Sequence, residues 1–119
     1  MNPVTQFGKS LRYAIAGIAH VARQENSFRI QLFAATIIFV FVFIFPLATW
    51  ERVLLIVMVA AVLVLEILNT IFERISDALK PRLSPVVKEV KDMMAGAVLI
   101  TSLTAVVVAV LIFWSYLVQ

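Results

Sequence analysis

Hydrophobic positions along the chain fall into one sparse periodic stretch followed by three dense runs. Phe7, Leu11, Ala14, Ile15, Ile18 and Ala22 recur at the spacing of a single helix face, with Lys9, Arg12, Tyr13, His20 and Arg23 spread over the others. That pattern predicts an amphipathic helix over 5–27 lying on a membrane surface. Residues 30–47 (IQLFAATIIFVFVFIFPL) are 18 in number, about 27 Å as a helix and enough to cross a bilayer core of about 30 Å. Pro46 should close this first span, since proline cannot continue a helix without losing a hydrogen bond, and Trp50 then stands where an interfacial aromatic belongs. A second span is predicted over 51–79, wholly apolar in its first half and studded with charge in its second. Pro81 and Pro85 mark a loop. A third span, 86–118, carries Trp114 and Tyr116 near its end.

Composition agrees with the pattern. The 119 residues are 63% hydrophobic and 14% charged, with a mean hydropathy of +1.05, whereas soluble domains run near 45–50% apolar and about 25% charged. The expectation is an all-α membrane protein forming one domain over 1–119. The chain has no cysteine, so disulfides and thiolate metal sites are excluded. The first twenty residues lack the uninterrupted apolar core of a signal peptide. Nine of the ten basic residues precede the first span or lie between the second and third, and Arg52 alone falls on the other side. The positive-inside rule therefore predicts a cytoplasmic N-terminus, three crossings and an external C-terminus. No nucleic acid is expected as a partner.

The second span contains LEILNTIFERI, residues 65–75, directly after an apolar run. At about 100° per residue, Glu66, Asn69, Glu73 and Asp77 share one helix face. With Arg52 at the outer interface, Glu66 would lie about 21 Å across the bilayer and Glu73 about 32 Å, so the stripe grades from lipid into water. A carboxylate at the depth of Glu66 is a functional-site hypothesis by default. Lys88, Lys91 and Asp92 share a face of the third helix at matching depth, followed by the small residues Ala95, Gly96 and Ala97, which permit close helix approach. Glu25 falls at the same level.

These residues admit three readings. Ion pairs and hydrogen bonds that fix helix register would explain the set, and a solvated interface suffices for Asp77, Lys88 and Glu89. A small proton-coupled transporter could use Glu66 as its carrier, although such a chain would want its carboxylate nearer the midplane. Alternatively, carboxylates and an amide can hold Mg²⁺ shared with phosphates, a lysine can neutralise phosphate charge, and a deeper carboxylate can take the proton of a lipid hydroxyl. Those are the parts of a phosphoryl transferase acting on a membrane alcohol. FGKS at Phe7–Ser10 is not a P-loop, because position 3 is Pro3 where the motif requires glycine. His20, the sole histidine, is expected at the headgroups.

The combination of E-x-x-N-x-x-x-E at Glu66–Glu73 with KDMMAGAV at Lys91–Val98 resembles the small bacterial diacylglycerol kinase and undecaprenol kinase family, over nearly the whole chain. The resemblance implies a homotrimeric kinase of the bacterial inner membrane, with sites shared between subunits, that moves the ATP γ-phosphate with Mg²⁺ to a lipid alcohol at the cytoplasmic face. It implies Glu66 as the general base on the lipid hydroxyl and Asn69 as a residue that holds and orients neighbouring groups. Glu25 and Glu73 would bind Mg²⁺ and belong to the ATP site, Lys91 would contact the phosphates, and Asp92 would support the nucleotide. Tyr13 and Gly17 would flank the adenine. Ile71-Phe72 departs from the Ala-Ile usual in relatives, and Gln6 stands where some members carry a basic nucleotide contact. KDMMAGAV and ENSFRI are nearer the undecaprenol kinase branch.

Overall fold

The structure is a computed structural model that describes residues 2–79 and 84–118. The expected loop residues Lys80, Pro81 and Arg82 lie outside the described residues. Four helices follow in order: α1 (Pro3–Gln24), α2 (Asn26–Ile44), α3 (Thr49–Leu79) and α4 (Ser84–Leu117). No strand occurs among the described residues. By length and composition α2, α3 and residues 85–117 of α4 can each cross a membrane.

The helix ends follow from local chemistry, and it moves several of them from their expected places. At the start of α1 the Asn2 side chain accepts from the Thr5 amide at 2.7 Å, with Pro3 at the first helical position. This is an N-cap with the one residue whose missing N–H costs nothing there. The helix ends at Gln24 rather than at 27, and α2 begins at Asn26 rather than at 30. Glu25 alone is non-helical between them (φ −115°, ψ 115°). Arg29 holds this corner, donating to the carbonyls of Ala22 and Arg23 at 2.9 Å each and so satisfying acceptors left open at the end of α1. Buried Phe28 anchors the first turn of α2.

α2 stops at Ile44, short of 47. Phe45 is already extended (φ −77°, ψ 146°), the conformation that a following proline favours. α3 begins at Thr49 instead of 51, because the Glu51 carboxylate reaches back to the Ala48 amide at 2.9 Å as in a capping box. The same oxygen accepts from the Tyr116 hydroxyl at 2.6 Å, tying the end of α4 to the start of α3. Arg52 donates to the carbonyls of Val42 and Phe45, at 3.0 and 3.3 Å, closing the end of α2.

This end of the bundle also holds the main core. Val42, Leu47, Leu55, Ile112 and Phe113 are buried together, and the rings of Phe41, Phe45 and Phe113 meet edge to face with centroids 5.2–5.8 Å apart. Lipid is as apolar as a leucine side chain, so close packing and the Glu51 and Arg52 hydrogen bonds, not water exclusion, hold the helices here. At the opposite end α1 meets α2 and α3, and its buried residue, Val21, lies near the Glu25 corner. Gly96 does not mark a close helix approach within the chain, since a Cβ there would meet nothing within 4 Å.

Candidate active site

The polar stripe of α3 forms its own layer far from the Phe-rich core. Glu66 is 6% exposed, Thr70 and Ser76 are buried, and Asn69 and Glu73 are half-buried. The spacing places them on one face by helix geometry alone. Asn69 Nδ2 donates to Glu73 Oε1 at 3.3 Å, one turn along, and Thr70 Oγ1 donates to the Glu66 carbonyl at 3.1 Å.

Glu25 joins this layer through the corner described above. Its carboxylate is 3.6 Å from Arg74 Nη2, and both Glu25 and Glu73 lie within electrostatic range of Glu66. Three carboxylates thus share one end of the bundle, with Arg74 beside Glu25. Such a gathering repels itself and favours a cationic ligand between its members. Among the described residues no group of three or more His, Cys, Asp or Glu side chains closes around one point.

Lys91 approaches from α4, its Nζ 3.7 Å from Asp77 Oδ1 on α3. The pair brings the KDMMAGAV segment alongside the α3 stripe, as the matched depths predict. Asp92 turns instead to Lys88, one turn away on its own helix, at 3.0 Å and largely exposed. Tyr13 is 73% exposed and Gly17 faces open space, so α1 presents both without a protein wall around them.

One neighbour of Glu66 comes from outside the residues that the motifs single out. The Gln31 side chain of α2 lies beside the Glu66 carboxylate. The signal was a lone amide one turn inside an otherwise apolar run. Periodicity cannot assign a partner to a single residue.

A sequence profile of the prokaryotic diacylglycerol kinase family matches residues 12–113. The chain is 30% identical over 112 residues to the undecaprenol kinase of Bacillus subtilis, an overlap covering 94% of this chain and 91% of that protein. It is 31% identical over 100 residues to the diacylglycerol kinase of Synechocystis sp., covering 83% of this chain and 57% of that longer protein. The matched region contains α2, α3 and all but the last residues of α4, with every site residue just described. The chain is therefore a multi-pass membrane protein and a lipid kinase, and it belongs to the prokaryotic diacylglycerol kinase family.

Proposed function

We propose that the protein transfers the γ-phosphoryl group of ATP, with Mg²⁺, to the hydroxyl of a membrane lipid alcohol at the cytoplasmic face of a bacterial inner membrane. The observation that carries this reading is a buried Glu66 with the carboxylates of Glu25 and Glu73 within electrostatic range, in a chain whose relatives are lipid kinases. Glu66 Oε takes the proton of the lipid hydroxyl as its oxygen bonds the γ-phosphorus, while the bond to the bridging oxygen breaks and ADP leaves. Asn69 orients Glu73 through their 3.3 Å hydrogen bond. Lys91 exchanges Asp77 for phosphate oxygens, and Asp92 with Lys88 borders the nucleotide. Tyr13 and Gly17 lie on α1 where an adenine could settle from the aqueous side.

Magnesium fits the donor set. It is held through one or two carboxylates and completed by substrate phosphates and water, which matches Glu25 and Glu73 and requires no closed cluster of three. When bound, the ion neutralises charge on the transferring phosphoryl group. Arg74, 3.6 Å from Glu25, would add positive charge on the same side.

The whole of 1–119 acts as one domain, with α1 as an amphipathic helix on the cytoplasmic surface. Its exposed Val4, Phe7, Leu11, Ile15 and Ile18 suit burial in the headgroup layer. The basic residues set the N-terminus inside and the C-terminus outside. The assembly is a homotrimer in this reading, and Asn69, half-buried within one copy, would gain protein surroundings from another. A proton-coupled transporter built on Glu66 is not favoured, since the relatives are kinases.

The direct test offers labelled Mg-ATP with undecaprenol or diacylglycerol in mixed micelles. Label is expected on the lipid. A folded preparation that phosphorylates neither would refute the proposal, and ATP-independent proton uptake in vesicles would replace it.

A further inference from the structure

Glu25 and Arg74 meet where α3 passes the corner between α1 and α2, and the two side chains are held very differently. The backbone of Glu25 is fixed on both sides. Its N–H donates to the Val21 carbonyl at 2.8 Å, and its carbonyl accepts from the Arg29 amide at 3.2 Å. The carboxylate can therefore swing only about its own short stem. Arg74 stands on a long flexible stem, its side chain 53% exposed against 28% for Glu25. Of the two partners, the arginine is the one free to leave.

Arg29 shares the corner but not this arrangement. Its guanidinium is committed to neutral acceptors, the carbonyls of Ala22 and Arg23 at 2.9 Å each and Asn26 Oδ1 at 3.4 Å. Those bonds close the end of α1 whatever binds nearby. Arg74 is set against a charge instead. At 3.6 Å its Nη2 is too far from Glu25 Oε1 for a hydrogen bond, so the two form a loose and partly solvated ion pair. Pairs of that kind are weak, and a competing cation can replace the arginine at little cost. Glu25 also lies within electrostatic range of Glu66, with Glu73 close by. Without Arg74, Glu25 feels that repulsion until another cation takes its place.

We propose that Arg74 is a tethered counterion for Glu25, competing with a divalent cation for the empty site and turning to the nucleotide phosphates once the cation has replaced it. The inference rests on the reading of Glu25 as an ion ligand, and adds a residue that decides in what form the ion is admitted. A free divalent cation approaching Glu25 meets the positive guanidinium and has to displace it. A magnesium–nucleotide complex is a net anion. It brings phosphate oxygens, to which the planar fork of the guanidinium donates paired hydrogen bonds. Arg74 thus opposes the ion alone and favours the ion that arrives with its nucleotide. Lys91, loosely paired with Asp77 at 3.7 Å, leaves its partner without contesting the ion, because Asp77 is not a ligand in this reading.

The test titrates Mn²⁺, which shares the octahedral oxygen coordination of Mg²⁺, into the full protein in micelles without nucleotide. Unbound Mn²⁺ is read from its electron paramagnetic resonance signal. Arg74→Gln should tighten Mn²⁺ binding about fivefold, the size of an exposed ion pair. Arg74→Lys keeps the charge and should return the affinity to the wild-type value. Glu25→Gln should weaken binding, and in that background Arg74→Gln should add nothing. Equilibrium binding of Mg²⁺ with a labelled non-hydrolysable ATP analogue should move the other way, weakening about fivefold in Arg74→Gln. Opposite signs in the two measurements are the signature, since an arginine with a structural role alone would not produce them. Arg74 is exposed and its pair loose, so the variants should elute and unfold as the wild type does. Mn²⁺ binding that Arg74→Gln leaves unchanged or weakens, while Glu25→Gln lowers it, overturns the proposal and keeps Glu25 as a ligand. A gain that persists in the Glu25→Gln background overturns it as well, as does analogue binding that is unchanged or tighter. Mn²⁺ binding indifferent to Glu25→Gln removes Glu25 from the ion site and takes the inference with it.

Discussion

Glu66→Gln separates chemistry from architecture. The substitution keeps shape and volume in a position only 6% exposed, and it leaves the Glu66 carbonyl free to accept from Thr70 as before. It also removes one of three mutually repelling carboxylates at that end of the bundle, so stability should be unchanged or slightly raised. What disappears is the proton acceptor. General-base catalysis contributes about 10²–10⁴ in rate, or about 3–5.5 kcal/mol of barrier at 1.36 kcal/mol per decade. The assay is the initial rate of labelled phosphate transfer at saturating Mg-ATP and lipid, run beside thermal unfolding and size-exclusion chromatography in the same detergent. A fall in kcat of at least about a hundredfold is expected, with the unfolding temperature maintained and the KM for ATP unchanged. Turnover within about threefold of wild type, in protein that unfolds normally, refutes Glu66 as the base.

Other positions give contrasting signatures. Glu73→Gln weakens a proposed ion ligand that Asn69 orients, so the Mg²⁺ concentration for half-maximal rate should rise about tenfold in a metal titration; an unchanged titration removes Glu73 from the ion site. Lys91→Ala should lower kcat/KM for ATP about a hundredfold through loss of phosphate stabilisation, with little change in unfolding, because its partner Asp77 is largely exposed. Arg52→Ala should do the reverse. It leaves the carbonyl of Val42 without its donor, while that of Phe45 keeps the Leu47 amide, and should cost about 2 kcal/mol of stability in a denaturation series, with the KM for ATP unaffected.

What was legible in the sequence was whatever repeats or interrupts a repeat. Glu66, Asn69 and Glu73 stood out because each breaks an apolar helix on the same face, and their burial together follows from that phase. The three spans were visible as dense runs, and Pro46 located the first turn. The helix ends were displaced by side chains acting on backbone, such as Arg29 on the carbonyls of α1 and Glu51 on the Ala48 amide, which carry no periodic signal. Gln31 was illegible for another reason. It is one amide at the start of a long apolar run, and its neighbours depend on the register between helices. That register is fixed by contacts distant in sequence, among them Tyr116 with Glu51, 65 residues apart.

The one-residue corner at Glu25 makes length a stricter constraint than chemistry at that junction. Adding a residue between α1 and α2 while α1 stayed in place would turn α2 about its axis by about 100° and slide it by about 1.5 Å. Phe28 would swing out of its socket, and Gln31 would point away from α3. The junction behaves as an indexed coupling between two rods, able to accept many side chains but only one number of residues.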